Sequence, residues 1–161
     1  MKVRIISALL LAVIVLMVGC ASPKLLTATA ANLPAGTVPQ GEAVLFRFNA
    51  AAEGSDMEIE KILCIFQAEG VSVGNLRWYD DETSEALSGA SFYSSEGKFF
   101  FWPGWPHEAR ELVVAKATTK TFSLRAEVTG KGFIAFRLQE VGVESGKAEG
   151  FSSVFNSLTV N

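Results

Sequence analysis

Apolar residues recur at every second position through most of this chain, and that period constrains the fold more than any other feature. In EAVLFRFNA, Val44, Phe46 and Phe48 fall on one side and Leu45, Arg47 and Asn49 on the other. In TFSLRAEV, Phe122, Leu124, Ala126 and Val128 alternate with Ser123, Arg125 and Glu127. Ile134, Phe136 and Leu138 repeat the pattern, as do Val154, Leu158 and Val160 around Asn156. Only an extended strand sends successive side chains to opposite faces, so each segment reads as a strand with one buried face. Glycine-containing breaks at EGSD, EGVSVGN, SGAS, SEGK, TGKG and SGKAEG separate these segments. No ten-residue stretch beyond the N-terminal segment carries a 3.6-residue apolar stripe.

One segment breaks phase. In DMEIEKILCIF, Met57 and Ile59 are in register, and Ile62, Cys64 and Phe66 continue one residue late. A β-bulge near Glu60 and Lys61 restores the inward phase. About seven to nine short strands with turns every eight to twelve residues predict an all-β, immunoglobulin-like two-sheet antiparallel sandwich. The Cys and Trp spacing of antibody domains is absent.

The N-terminus has a different character. Lys2 and Arg4 precede an uncharged, mostly apolar run of fourteen residues, Ile5 to Val18, followed by Gly19 and Cys20. A spanning helix needs roughly twenty residues, so the run reads as the helix of a cleaved signal. Met17-Val18-Gly19-Cys20 resembles the lipobox of bacterial lipoproteins. That resemblance implies lipidation of Cys20, a membrane held through a lipid anchor, and an extracytoplasmic location at the outer membrane or cell surface. A retained anchor, or cleavage after Ala30, are the alternative readings. The expected organisation is a signal peptide over 1–19, a tether over 20–40 in which KLLTATA can form an edge strand, and the sandwich over 41–161.

Charge excludes one class of partner. Without Lys2 and Arg4, the 14 Lys and Arg become 12 against 17 Asp and Glu, a formal charge of −5. No basic patch is available to displace phosphate counterions, so no nucleic-acid partner is expected. With Cys20 lipidated, Cys64 is the one remaining cysteine and no intramolecular disulfide forms.

The order AGTVPQGEAVLFRFNAAAEGSDMEIEKI, VGNLRWYDDE, LVVAKATTKTFSLRAEVTG and NSLTV resembles a β-sandwich repeat of large secreted bacterial surface proteins. The resemblance covers about Leu33 to Asn161 and lies mostly in core and turn positions. It implies a structural or adhesive role without catalysis. VAKATTKT departs from the Pro-Ala-Gly turn of the repeat, and Trp102 to Glu111 reads as an extra segment.

Candidate chemistry is sparse, and no cofactor is expected. His107 is the only histidine, and no Gly-x-Ser-x-Gly elbow, His-Glu-x-x-His or Cys-x-x-Cys spacing accompanies it. Cys64 lies among Ile62 and Phe66, where a small thiol packs as core. Asp80, Asp81 and Glu82 form a weak Ca²⁺ candidate that lacks the spacing of an EF-hand loop. The strongest candidate is aromatic. In GKFFFWPGWPHEARE, Phe99 and Phe101 share one strand face and Phe100 and Trp102 the other. If both faces are apolar, the outer one needs a cover, either the N-terminal segment with LPAG or an external partner. Trp102, Trp105 and His107, with Trp78, are therefore the candidate binding residues for an envelope protein or a glycan.

Overall fold

The computed structural model describes residues 23–33, 36–94, 97–103, 112–151 and 154–161. The signal segment, Cys20, Trp105 and His107 lie outside the described residues. Among the described residues eleven strands follow one another: β1 (Leu25–Ala30), β2 (Gly36–Val38), β3 (Gly41–Glu53), β4 (Met57–Asp80), β5 (Glu85–Ala86), β6 (Gly89–Tyr93), β7 (Lys98–Pro103), β8 (Leu112–Val114), β9 (Thr119–Val143), β10 (Lys147–Glu149) and β11 (Phe155–Val160). Four of these, β2, β5, β8 and β10, are only two or three residues long, which carries the number past the nine that alternation suggests.

β4 and β9 pair antiparallel along almost their whole length, from Ile59 opposite Val143 to Asp80 opposite Phe122. A straight strand of that length would reach roughly 80 Å, about twice the diameter of a domain this size. The ribbon therefore has to fold over. Its two halves take different neighbours, which defines two leaves. In the first leaf, β3 pairs with β9 from Thr119 to Val128, and β1 and β10 continue outward from β3. In the second, β11 pairs with β9 from Gly132 to Arg137, while β7 and then β6 continue outward from the first half of β4.

The fold-over is a glycine corner. Gly70 and Gly130 have φ of 70° and 94°, a left-handed conformation that side-chain-bearing residues rarely adopt. A Cβ on Gly132 would overlap the Glu69 carbonyl oxygen across the ribbon. The neighbouring Glu69, Gly70, Ser72 and Gly74 are exposed, as residues on an outer bend must be.

Between the leaves lies one aromatic core. Phe48 meets Trp78 edge-on at 5.5 Å and Phe46 meets Trp78 at 6.2 Å, all within the first leaf. Phe46 reaches Phe136 of the second leaf at 6.4 Å, and Phe136 stacks on Phe66 at 5.2 Å. Phe122, Leu124, Ala126 and Val128 all face inward, as their spacing requires, and so do Ile134, Phe136 and Leu138. The sandwich is thus built as the alternation predicts, apolar inward from both leaves.

The ladders of β9 with β4 and β3 shift register at five points among the described residues, and two of these bear directly on the sequence reading. The register of β4 on β9 shifts between Ile59 and Lys61, where the sequence slips, so Ile59, Ile62, Cys64 and Phe66 are all buried. β3 holds a second bulge, between Val44 and Phe46, that alternation alone did not reveal. Leu45 is buried at this bulge and Val44 faces outward, the reverse of the expected assignment. At this bulge the Leu45 carbonyl accepts a hydrogen bond from buried Asn156 Nδ2 at 2.9 Å, which joins β3 to β11 across the sandwich. A polar side chain among Val154, Leu158 and Val160 is thereby satisfied by a backbone group at the bulge.

The segment before β3 belongs to the sheet. β1 pairs with β3 over all six of its residues and buries Leu26 and Ala28 in the core. β2 pairs in parallel with β11.

Candidate functional site

The outer face of the second leaf carries the aromatic stretch. β7 is paired on both sides, with β4 and with β6, so its residues must alternate between the two faces. Phe99 and Phe101 point inward and are 4% exposed. Phe100 and Trp102 point outward, half-buried, with their rings stacked at 5.6 Å and 6°. Phe92 of β6 stands opposite Phe100 in register, its ring 6.3 Å away, and is 56% exposed. On the other side Phe100 is in register with Leu63, which is buried without belonging to the core between the leaves.

Among the described residues, the register shows what lies beside the outer aromatics. Phe100 is itself a cover, over Leu63, and Phe92 and Trp102 flank it. The described strands before β3, β1 and β2, pair with β3, β10 and β11 and not with β6 or β7, and Pro34 and Ala35 of LPAG lie outside the described residues. An apolar stripe thus runs from Leu63 through Phe100 to Phe92 and Trp102 and ends open to solvent.

Trp78 is not part of that stripe. It is 1% exposed, packed between Phe46 and Phe48 in the core, and presents no ring surface to a ligand. The reason is register: Trp78 pairs with Leu124 in the half of β4 that belongs to the first leaf, facing inward.

Asp80, Asp81 and Glu82 are held in a network of cations and amides. Asp80 accepts the Glu82 N–H at 2.9 Å and faces Lys120 Nζ at 3.3 Å. Asp81 lies 2.7 Å from Arg47 Nε and 3.6 Å from Arg125 Nη2, and accepts the Ser123 hydroxyl at 2.5 Å. Arg125 also sits over the Tyr79 ring at 4.3 Å. The two aspartates therefore turn to different cations, and no three acidic, histidine or cysteine side chains converge as metal ligands among the described residues. Arg47, Asn49, Asp81, Thr121 and Arg125 line a shallow polar concavity on the outer face of the first leaf. These residues carry no family motif, but the alternation had already placed Arg47, Asn49, Ser123 and Arg125 on the face away from the core.

Cys64 is fully buried, and burial pushes its thiol pKa up. A nucleophilic cysteine requires the opposite, a lowered pKa and access.

No protein-family model matches the chain, and no curated protein matches it. Among solved structures it is similar to cohesin modules. The seventh ScaB type I cohesin from Pseudobacteroides cellulosolvens is 15% identical, with 86% of this chain and 92% of that one covered and a TM-score of 0.48. A non-cellulosomal cohesin from Archaeoglobus fulgidus is 11% identical, covering 87% and 92%, with a TM-score of 0.42. A chain of a type I cohesin–dockerin complex from Clostridium thermocellum is 7% identical, covering 88% and 96%, also with a TM-score of 0.42. The sandwich itself rests on the strand pairing of this chain.

Proposed function

We propose that the chain is a non-enzymatic, membrane-anchored protein of the bacterial cell envelope, whose β-sandwich makes structural or adhesive contacts with another protein. The observation that carries this reading is the open aromatic stripe of Phe92, Phe100 and Trp102 on the outer face of β6 and β7. Rigid aromatic side chains offer large contact area with few rotatable bonds to immobilise, which is why they anchor protein interfaces. The lipobox-like Met17-Val18-Gly19-Cys20 supports the anchor. Several acyl chains on Cys20, at about 0.8 kcal/mol for each buried methylene, hold a protein on a membrane without spanning it.

Two experiments test the two halves of the proposal. Cys20→Ser moves the protein from the membrane fraction to the soluble fraction, and unchanged sedimentation with membranes refutes the anchor. The double variant Phe92→Ser, Trp102→Ala keeps the fold but loses the cross-links that the wild-type chain forms to envelope proteins in intact cells. An identical cross-linking pattern refutes the stripe as the contact surface.

The near-parallel stack of Phe100 and Trp102 favours a second reading, a glycan-binding module that extends through Trp105. Binding of cell-wall sugars there shifts tryptophan fluorescence in the wild type and not in Trp102→Ala. Silence across a broad sugar panel refutes it.

A further inference from the structure

β6 ends its leaf, and among the described residues no strand pairs with its far side. Which backbone groups it leaves open follows from the hairpin with β7. Ser94 N–H donates to the Lys98 carbonyl at 2.9 Å, so Ser94 and Lys98 form a hydrogen-bonded pair. Antiparallel ladders alternate bonded and non-bonded pairs. Phe92 with Phe100 and Ala90 with Trp102 are therefore bonded pairs, whereas Gly89, Ser91 and Tyr93 turn their N–H and C=O groups away from β7. Pro103, which has no N–H, fits this phase, because it stands opposite Gly89 in a non-bonded pair.

Sheet edges are normally blunted by charge, proline or shortness. β10, at the edge of the first leaf, is three residues long and carries the Lys147–Glu149 ion pair at 3.1 Å. β6 has none of these guards: from Leu87 to Ser94 there is no charged residue and no proline.

We propose that this edge pairs with β6 of a second copy of the same chain, antiparallel about a two-fold axis through Ser91. In that register Ser91 faces Ser91, Gly89 faces Tyr93, and Ala90 faces Phe92. Each feature of the strand then meets its complement. The open N–H and C=O groups of Gly89, Ser91 and Tyr93 meet those of the partner in bonded pairs. The Tyr93 ring, half exposed at the margin of the leaf, covers the bare backbone of the partner's glycine. That glycine cannot supply its own cover, since a Cβ there would overlap the Trp102 carbonyl oxygen. On the outer face the small Ala90 makes room for Phe92, so the two aromatic stripes join into one. A foreign strand has no reason to match both faces at once, whereas the reversed copy does. Five residues a side is a small contact, and two-dimensional confinement raises its occupancy through effective concentration. Only that last point rests on the membrane-anchor reading.

Cysteine cross-linking of the full-length chain in membranes tests the pairing. Bonded antiparallel partners have Cα atoms about 5.5 Å apart, within disulfide range. With a mild oxidant, Ser91→Cys gives a band at twice the monomer mass, and neither the wild type nor Ser72→Cys, at the exposed glycine corner, does so. Ala90→Cys and Phe92→Cys cross-link with each other when co-expressed and not when expressed singly, which reads the register independently of Ser91. Adding Ser91→Pro, which removes an outward-facing N–H and leaves the groups that β6 bonds to β7 in place, abolishes that mixed cross-link. A Ser91→Cys band no stronger than the Ser72→Cys band, or a 90–92 mixture that stays monomeric, overturns the proposal. Loss of the anchor alone shows instead as failed membrane fractionation with these cross-links still register-specific.

Discussion

Asn156 offers the sharpest test of how the two leaves are joined. Its amide donates at 2.9 Å to the Leu45 carbonyl, at the point where the register of β3 on β9 shifts. Asn156 is 8% exposed and Leu45 fully buried, so water does not readily replace the bond. Leaving a buried carbonyl unsatisfied costs about 1–3 kcal/mol, and the amide is small enough that its removal opens little cavity. Asn156→Ala should therefore cost about 2 kcal/mol, which for a domain of this size lowers the melting temperature by roughly 6–8 °C. Asn156→Asp separates the hydrogen bond from the packing, because it keeps the shape and loses the donor once ionised. Burial and the facing carbonyl raise the pKa of this carboxyl in the folded state above the usual value of about 4. A raised folded-state pKa means stability that is present below pH ~4 and lost as pH rises through the folded-state value. Relative to wild type at each pH, Asn156→Asp is thus least damaging in acid and most damaging at neutrality. Urea unfolding of residues 20–161, followed by tryptophan fluorescence, measures both variants. An Asn156→Ala within about 0.5 kcal/mol of wild type, or an Asp variant that parallels wild type at every pH, refutes the reasoning.

The two described tryptophans should respond very differently to truncation. Trp78→Ala, in the core, costs about 3–5 kcal/mol in urea unfolding, whereas half-exposed Trp102→Ala costs about 1 kcal/mol or less. Gly132→Ala pushes a methyl group into the Glu69 carbonyl across the ribbon and should cost about 2 kcal/mol or more, read by thermal melting, while Gly74→Ala, where a Cβ meets nothing, stays within about 1 kcal/mol. In a Cys20→Ser background the Cys64 thiol should be inert to a thiol-specific reagent until denaturant is added, because it is buried and its pKa is raised.

The period-two pattern was enough to place Phe122, Phe136 and Cys64 inward, because a half-buried strand leaves its burial pattern in the residue types. It also located the bulge at Glu60, where charged residues interrupt an apolar series. The bulge at Leu45 left no such mark: Val44, Leu45 and Phe46 are all apolar, so either phase reads equally well. Trp78 was misassigned because a large aromatic at a strand end looks the same whether it faces the core or solvent, and only the pairing with Leu124 decides. The Arg47–Asp81–Arg125 network joins residues from two strands, β3 and β9, and the turn that follows β4, and a linear reading cannot tell which outward-facing charges will meet. For Phe100 and Trp102 the outward face was legible, but the cover that Phe100 makes over Leu63 required the register of β7 on β4.

The pairing of β2 with β11 bears on when this protein can finish folding. Gly36–Val38 finds its partner in Leu158–Val160 of β11, roughly 120 residues later. The β3–β9 and β4–β9 ladders likewise wait for the second half of the sequence. Such non-local contacts pay loop-closure entropy before they gain stability, so assembly is expected to be slow and late. A chain cut short before Phe155 has no strand to hold β2 and no Asn156 to engage the Leu45 carbonyl. Such a truncated chain therefore exposes the Gly132–Arg137 edge of β9 that β11 otherwise occupies, and limited proteolysis can tell the two apart.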